Sequence, residues 1–170
     1  AGFGGAQLLP VDDDGLDAWR AFARPMRAGR LWVVPPWIDA PATAAHGEVL
    51  WIDPGRAFGS GSHPTTRLVL AALERRVQPG HRVLDVGCGS GVLSFMACEA
   101  GAAKVYAIEG GPVIDVAREL AVDNGFDDRI EFLAGWSLDV GLPEPADVLI
   151  SETIGNAGLD EGIVAWTADA

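Results

Sequence analysis

Several things are scarce in this sequence. Of 170 residues only two are cysteine, three histidine and one tyrosine, and 12 basic residues stand against 24 acidic ones, for a net charge of −12. Two cysteines, Cys88 and Cys98, do not make a disulfide framework. No group of His, Cys and Asp has metal-ligand spacing, so no metal is expected. The shortage of positive charge disfavours a nucleic-acid partner, whose phosphates it would repel. It suits a Lys- or Arg-rich protein segment, or equally a surface whose charge only keeps the protein soluble. No apolar run approaches the ~20 residues of a membrane helix. The opening AGFGGAQLLPVDDD lacks the charged-then-apolar order of a signal peptide. The expectation is a protein of the reducing cytoplasm with no membrane partner.

What is present is a hydrophobic content of 49%, enough for a globular chain with a real core. There is no internal repeat. DGLDAWRAFARPM reads as a short helix, RLWVVPPW as a strand stopped by Pro35 and Pro36, and EVLWIDPG as another short strand. SHPTTRLVLAALERRV has Pro64 in its first turn and apolar Leu68, Leu70, Ala71 and Leu73 after it, which predicts a helix ended by QPG. From residue 82 strands and helices alternate: RVLDVG, GVLSFMACEAG, KVYAIE, PVIDVARELAVDNG, RIEFLAG, ADVLISE, then the start of a helix in LDEGIVAWTADA. That order predicts an α/β fold, a doubly wound parallel sheet with helices on both faces. Residues 1–55 read as an α+β extension and 56–170 as the ligand-binding domain.

Ligands of such sheets sit beyond the carboxyl ends of the strands, where Asp85 to Gly91, Glu109 and Glu152 fall. The glycines do not follow the dinucleotide pattern G-x-G-x-x-G, because the position for a third glycine holds Val92. The pattern is D-x-G-x-G-x-G: Asp85, Gly87, Gly89 and Gly91, with Cys88 inside the turn. A carboxylate there would repel a pyrophosphate and suit a cationic ligand without phosphate, such as S-adenosylmethionine. Glu109, 24 residues after Asp85, stands where an acid takes ribose hydroxyls, unless it is a solvated loop acid. Trp136 and Ser137 end the third strand and could border an adenine, Trp136 by stacking, although plain core packing would also account for the indole.

Two resemblances add to this reading. RLWVVPPW with IDPGRAFGSGSHPTTRL resembles the bacterial ribosomal-protein methyltransferases of the PrmA type, in a match over roughly residues 17 to 100. Those enzymes carry a similar D-P-G-x-A-F-G-x-G-x-H-P-T-T segment directly before the cofactor-binding sheet. The resemblance implies a Rossmann-like class I methyltransferase sheet, with Phe58, Gly59, Thr65 and Thr66 lining the S-adenosylmethionine pocket. His63 is read as structural. The second half departs from that family. SETIGNAGLDEG is similar to the double-glutamate loop of protein arginine methyltransferases, with Glu152 and Glu161 nine residues apart.

That second resemblance implies catalytic roles for Glu152 and Glu161. Two carboxylates beside an amine would raise its pKa and oppose the deprotonation it needs, whereas a guanidinium pairs with carboxylates bidentately. The glutamates therefore favour a guanidino acceptor, unless Glu161 is only a solvated acid in a first helical turn. The sequence thus points to methyl transfer onto a nitrogen of a protein, arginine-like or ribosomal. Alternatives are a peptide or small-molecule acceptor, and a non-catalytic cofactor-binding module. Sheets of this class normally have seven strands and four are predicted here. The sheet is thus expected to be completed by further chain or by association through its edge, as in a homodimer.

Overall fold

The computed structural model describes residues 18–29, 31–45, 49–53 and 64–153. Two sheets are present among them. The smaller consists of β1 (Met26–Ala28), β2 (Leu31–Val34) and β3 (Val49–Trp51), with β1–β2 antiparallel and β2–β3 parallel. Of the helix expected over DGLDAWRAFARPM, the described residues form one 3₁₀ turn at Ala18–Ala21, and the Pro-Met end leads into β1 instead. Pro25 explains the difference: it has no N–H to continue a helix and it biases the preceding residue toward extended backbone. Gly29, with φ +56°, then turns the chain back into β2.

The larger sheet has the order β6–β5–β4–β7 and is parallel throughout. Its strands are β4 (Arg82–Val86), β5 (Lys104–Glu109), β6 (Ile130–Ala134) and β7 (Val148–Ser151). Helix α1 (Pro64–Arg76) starts on a proline, whose missing N–H is not needed there, and buries Thr66, Leu70 and Leu73 along one stripe. Helix α2 (Val92–Glu99) is buried on all sides from Val92 to Cys98 because it lies between α1 and the sheet. Its C-terminal carbonyls are closed by the Arg129 guanidinium, which donates to the Cys98 carbonyl at 2.7 Å and also to that of Ala102. Helix α3 (Val113–Asp123) buries Ile114, Ala117, Leu120 and Ala121 at helical spacing.

One face of the large sheet, through Val83, Val105 and Ala107, shares a core with α1, α2, Leu120 of α3 and the small sheet. The other face presents Leu84, Val86, Tyr106 and Ile108, packed against Leu133, Val140, Leu142 and Ala146. Among the described residues this second face is covered by a loop, not a helix, since Gly141, Pro143 and Pro145 break helical continuity. Hydrogen bonds pin the loop: Tyr106 Oη donates to Glu144 at 2.7 Å, and Arg82 reaches Glu144 at 2.8 Å and Asp147 at 3.2 Å. The helix expected over 159–170 and the 55/56 boundary lie outside the described residues. No described helix is long and apolar enough to cross a membrane.

Asn124 joins the small sheet to the end of α3. Its side-chain oxygen accepts from the Trp51 N–H at 2.9 Å, and its amide donates to the Trp51 carbonyl at 2.9 Å and to the Leu120 carbonyl at 2.8 Å. One side chain thus acts as a strand partner for β3 and as a cap for α3.

Phe95 is 0% exposed and its ring stacks on Phe126 at 5.6 Å between centroids. Phe95→Ala is expected to cost about 3–5 kcal/mol of stability, read as a lower midpoint in urea unfolding. A loss below about 1 kcal/mol would contradict the central place given to α2.

Candidate functional site

The chain runs from β4 outward through β5 to β6, then returns to place β7 on the other side of β4. The strand order therefore reverses between β4 and β7, and a crevice opens at the carboxyl ends of these two strands. The turn Gly87–Gly91 follows β4, and Glu152 follows β7.

The glycines of the turn are required by geometry. Gly87, Gly89 and Gly91 have φ of +72°, +54° and +87°, a region that side chains with a Cβ rarely adopt. A Cβ on Gly87 would also lie 2.3 Å from the Thr153 methyl. Gly87 and Cys88 both donate their N–H to the Ile108 carbonyl, at 2.9 and 3.1 Å, which ties the turn to β5. Cys88 takes part through its backbone, for its thiol is buried in the core. Burial pushes the Cys88 thiol far up and that of Cys98 to about 12, so neither is a nucleophile.

Asp85 is 0% exposed. One carboxylate oxygen accepts from Ser94 Oγ at 2.6 Å, while Oδ1 has no hydrogen-bond partner among the described residues. Burial raises its pKa to about 7, the Ser94 hydrogen bond opposes that rise, and the nearby charges of Glu109 and Glu152 add to it. Asp85, near the end of β4, therefore feels the charges of Glu109 and Glu152 at the ends of β5 and β7, and the crevice gathers acidic groups.

Glu109 bridges the two loops that flank it, accepting from Gly89 N–H at 3.0 Å and from Gly111 N–H at 2.8 Å. Trp136 is 73% exposed, and its indole lies over Gly110, beside Glu109. Core packing does not account for it. Ser137 follows it, half-buried.

Glu152 is gripped by the first turn of α1. Thr65 Oγ1 donates to one of its oxygens, and Thr66 Oγ1 donates to the other at 2.5 Å. The structure thus brings together residues expected to serve cofactor and acceptor separately. Ser151 Oγ donates to the Val86 carbonyl at 2.8 Å and lies 2.9 Å from Thr153 Oγ1. Ser94, Ser151 and Thr153 were not foreseen as part of the site. Ser94 had a visible signal, a polar residue in the otherwise apolar stretch GVLSFMAC. Phe58, Gly59, His63 and Glu161 lie outside the described residues.

With this geometry in place, comparison with known proteins decides the family. The family model described as "Ribosomal protein L11 methyltransferase (PrmA)" matches residues 9–157. The chain belongs to this family. The match runs through β7. The ribosomal protein L11 methyltransferase of Symbiobacterium thermophilum is 43% identical over 153 residues, 88% of this chain and 48% of that protein. The chain spans about half the length of the curated relatives it matches. Among solved structures, the ribosomal protein L11 methylase of Lactobacillus delbrueckii subsp. bulgaricus superposes with a TM-score of 0.66 at 30% identity, covering 76% of this chain and 66% of that one. The likeness to arginine methyltransferases is also real. The PRMT1 enzyme–prozyme heterotetrameric complex of Trypanosoma brucei with AdoHcy gives a TM-score of 0.51 at 41% identity over 53% of this chain and 29% of that one.

The raised pKa of Asp85 has a signed consequence. A carboxyl whose folded pKa lies above its unfolded value contributes stability fully below about pH 4, and that contribution is lost as pH rises through about 7. Asp85→Asn removes the ionisation while keeping the volume. Between pH 4 and 7 the wild type is expected to lose, relative to Asp85→Asn, on the order of 4 kcal/mol. Parallel unfolding curves for the two proteins across that range would refute the assignment.

Proposed function

We propose that the protein transfers a methyl group from S-adenosylmethionine to a nitrogen nucleophile on a protein, with ribosomal protein L11, named by the family, as the first acceptor to test. The observation that carries the reading is the convergence of Asp85, Glu109 and Glu152 on one crevice at a strand-order switch. Such a site repels phosphates and suits a cationic donor.

The residues fit that donor. Asp85 offers a buried oxygen without a partner, and a cation nearby would favour its ionised form. Gly87 and Gly91 form a turn that tolerates no side chain and so allows close backbone approach. Glu109 has two oxygens with the geometry for a ribose diol, at present satisfied by Gly89 and Gly111. The exposed indole of Trp136 is a stacking face for adenine, with Ser137 beside it. When bound, the donor supplies an electrophilic methyl on a sulfonium. The remaining task of the chain is to align the acceptor nitrogen in line with that methyl, and such alignment is worth roughly 7–11 kcal/mol in well-oriented systems. Glu152, at the end of β7, orients the acceptor.

A second reading is favoured by Glu152 itself. A carboxylate beside the acceptor suits a guanidinium better than an amine that must first lose a proton, so an arginine acceptor follows as the other candidate. The setting we infer is the bacterial cytoplasm, in keeping with the bacterial relatives and the two unpaired, buried thiols.

Two measurements test this. With labelled S-adenosylmethionine, the full-length protein is expected to methylate L11, and mapping the product by mass spectrometry reads the acceptor atom. Label confined to arginine-bearing peptides selects the second reading, and no transfer to any protein sinks the proposal. In calorimetry, S-adenosylmethionine is expected to bind more tightly as pH rises through about 7, as Asp85 ionises. Asp85→Asn should lose that dependence, and a dependence kept in the variant would remove Asp85 from the site.

A further inference from the structure

We propose that Ser94 is a positioning residue for the methyl donor: its hydroxyl holds one oxygen of the Asp85 carboxylate and favours the charged form of that group, leaving the other oxygen for the cationic ligand. The inference rests on the reading of Asp85 as a cofactor-facing group, and it names what sets the charge and orientation of that group.

The geometry points this way for three reasons. The first is the division of the carboxylate. Ser94 Oγ donates to Oδ2 of Asp85 at 2.6 Å, the length of a hydroxyl on a charged acceptor. Oδ1 has no hydrogen-bond partner among the described residues. A serine inside a helix often returns its proton to a carbonyl one turn back, but here the proton crosses from α2 to the strand. The second is rigidity. Both side chains are fully buried, so bulk water does not replace the hydroxyl. Ser94 is followed by Phe95, whose ring stacks on Phe126, and the donor therefore sits on a fixed wall. The third is the surrounding charge. β5 brings Glu109 and the segment after β7 brings Glu152, and both oppose ionisation of Asp85. Cys88 in the turn stays protonated because burial raises its thiol. Thr65 and Thr66, the α1 residues at this end of the crevice, carry no charge. Ser94 is the group that favours the charged form against burial and these neighbours.

The test uses the full-length protein with S-adenosylmethionine. Ser94→Ala removes the donor, and Ser94→Cys keeps the shape with a weaker one. Loss of a hydrogen bond to a charged group is expected to move the ionisation of Asp85 up by about 1–2 pH units. In calorimetry the Kd of Ser94→Ala should therefore exceed that of wild type by about 10- to 100-fold near pH 6.5 and by less than about threefold near pH 9. Ionisation of the ligand itself cancels in this ratio. Ser94→Cys should fall between the two proteins. A ratio that stays constant with pH marks a merely structural role and overturns the proposal, as does unchanged affinity at every pH. Carbon NMR of the Asp85 carboxyl, without ligand, reads the same shift directly. If Asp85→Asn binds S-adenosylmethionine as wild type does at every pH, the cofactor reading of Asp85 fails. The hold of Ser94 on Asp85 is then judged by that NMR titration, in which an unshifted carboxyl in Ser94→Ala overturns it.

Discussion

At the centre of the large sheet stands a carboxylate with no exposed surface, and much of the surrounding architecture follows from placing it there. Asp85 is the penultimate residue of β4, the strand flanked by both β5 and β7. Burying an acid is costly unless it is hydrogen-bonded or neutralised. Ser94 meets half of that need from within the buried, otherwise apolar stretch Val92 to Cys98 of α2. The turn between Asp85 and Ser94 has to bring α2 back over the strand end at once, and three left-handed glycines do so. The demand left over, one oxygen without a partner in a field of neighbouring carboxylates, is what a cationic ligand would meet.

Much of this was legible in the sequence, and the reason is periodicity. KVYAIE and RVLDV read as strands and appear as β5 and β4, because buried parallel strands are continuous apolar runs closed by a polar residue at the end. The glycine turn was legible because glycine marks positions that other residues cannot occupy. Less legible were features that depend on how distant segments meet. Nothing local announces that Thr65 and Thr66 would bond Glu152, or that Asn124 would pair with Trp51. Trp136 was ambiguous because an aromatic residue at a strand end suits a core and a ligand face equally, and only its exposure over Gly110 decides. β1 was hidden by being three residues long and following a proline.

Two likenesses coexist in this chain. It matches the L11 methyltransferase family through β7, and a solved arginine methyltransferase superposes on 53% of it. At the strand-order switch the first turn of α1 meets the end of β7, where Thr65 and Thr66 donate to Glu152.

Asn124 carries a liability of another kind. It is followed by Gly125, the neighbour that least hinders attack of the backbone nitrogen on a side-chain amide, by which asparagine slowly loses ammonia. Gly125 donates its N–H to the Val122 carbonyl at 3.1 Å, an engagement that restrains that attack while α3 stays wound. If the helix end frays long enough for the reaction, the amide becomes an acid. Two carbonyls, of Trp51 and Leu120, then face an acceptor where they had a donor. The seam between the small sheet and α3 would open there, at a rate set by ageing.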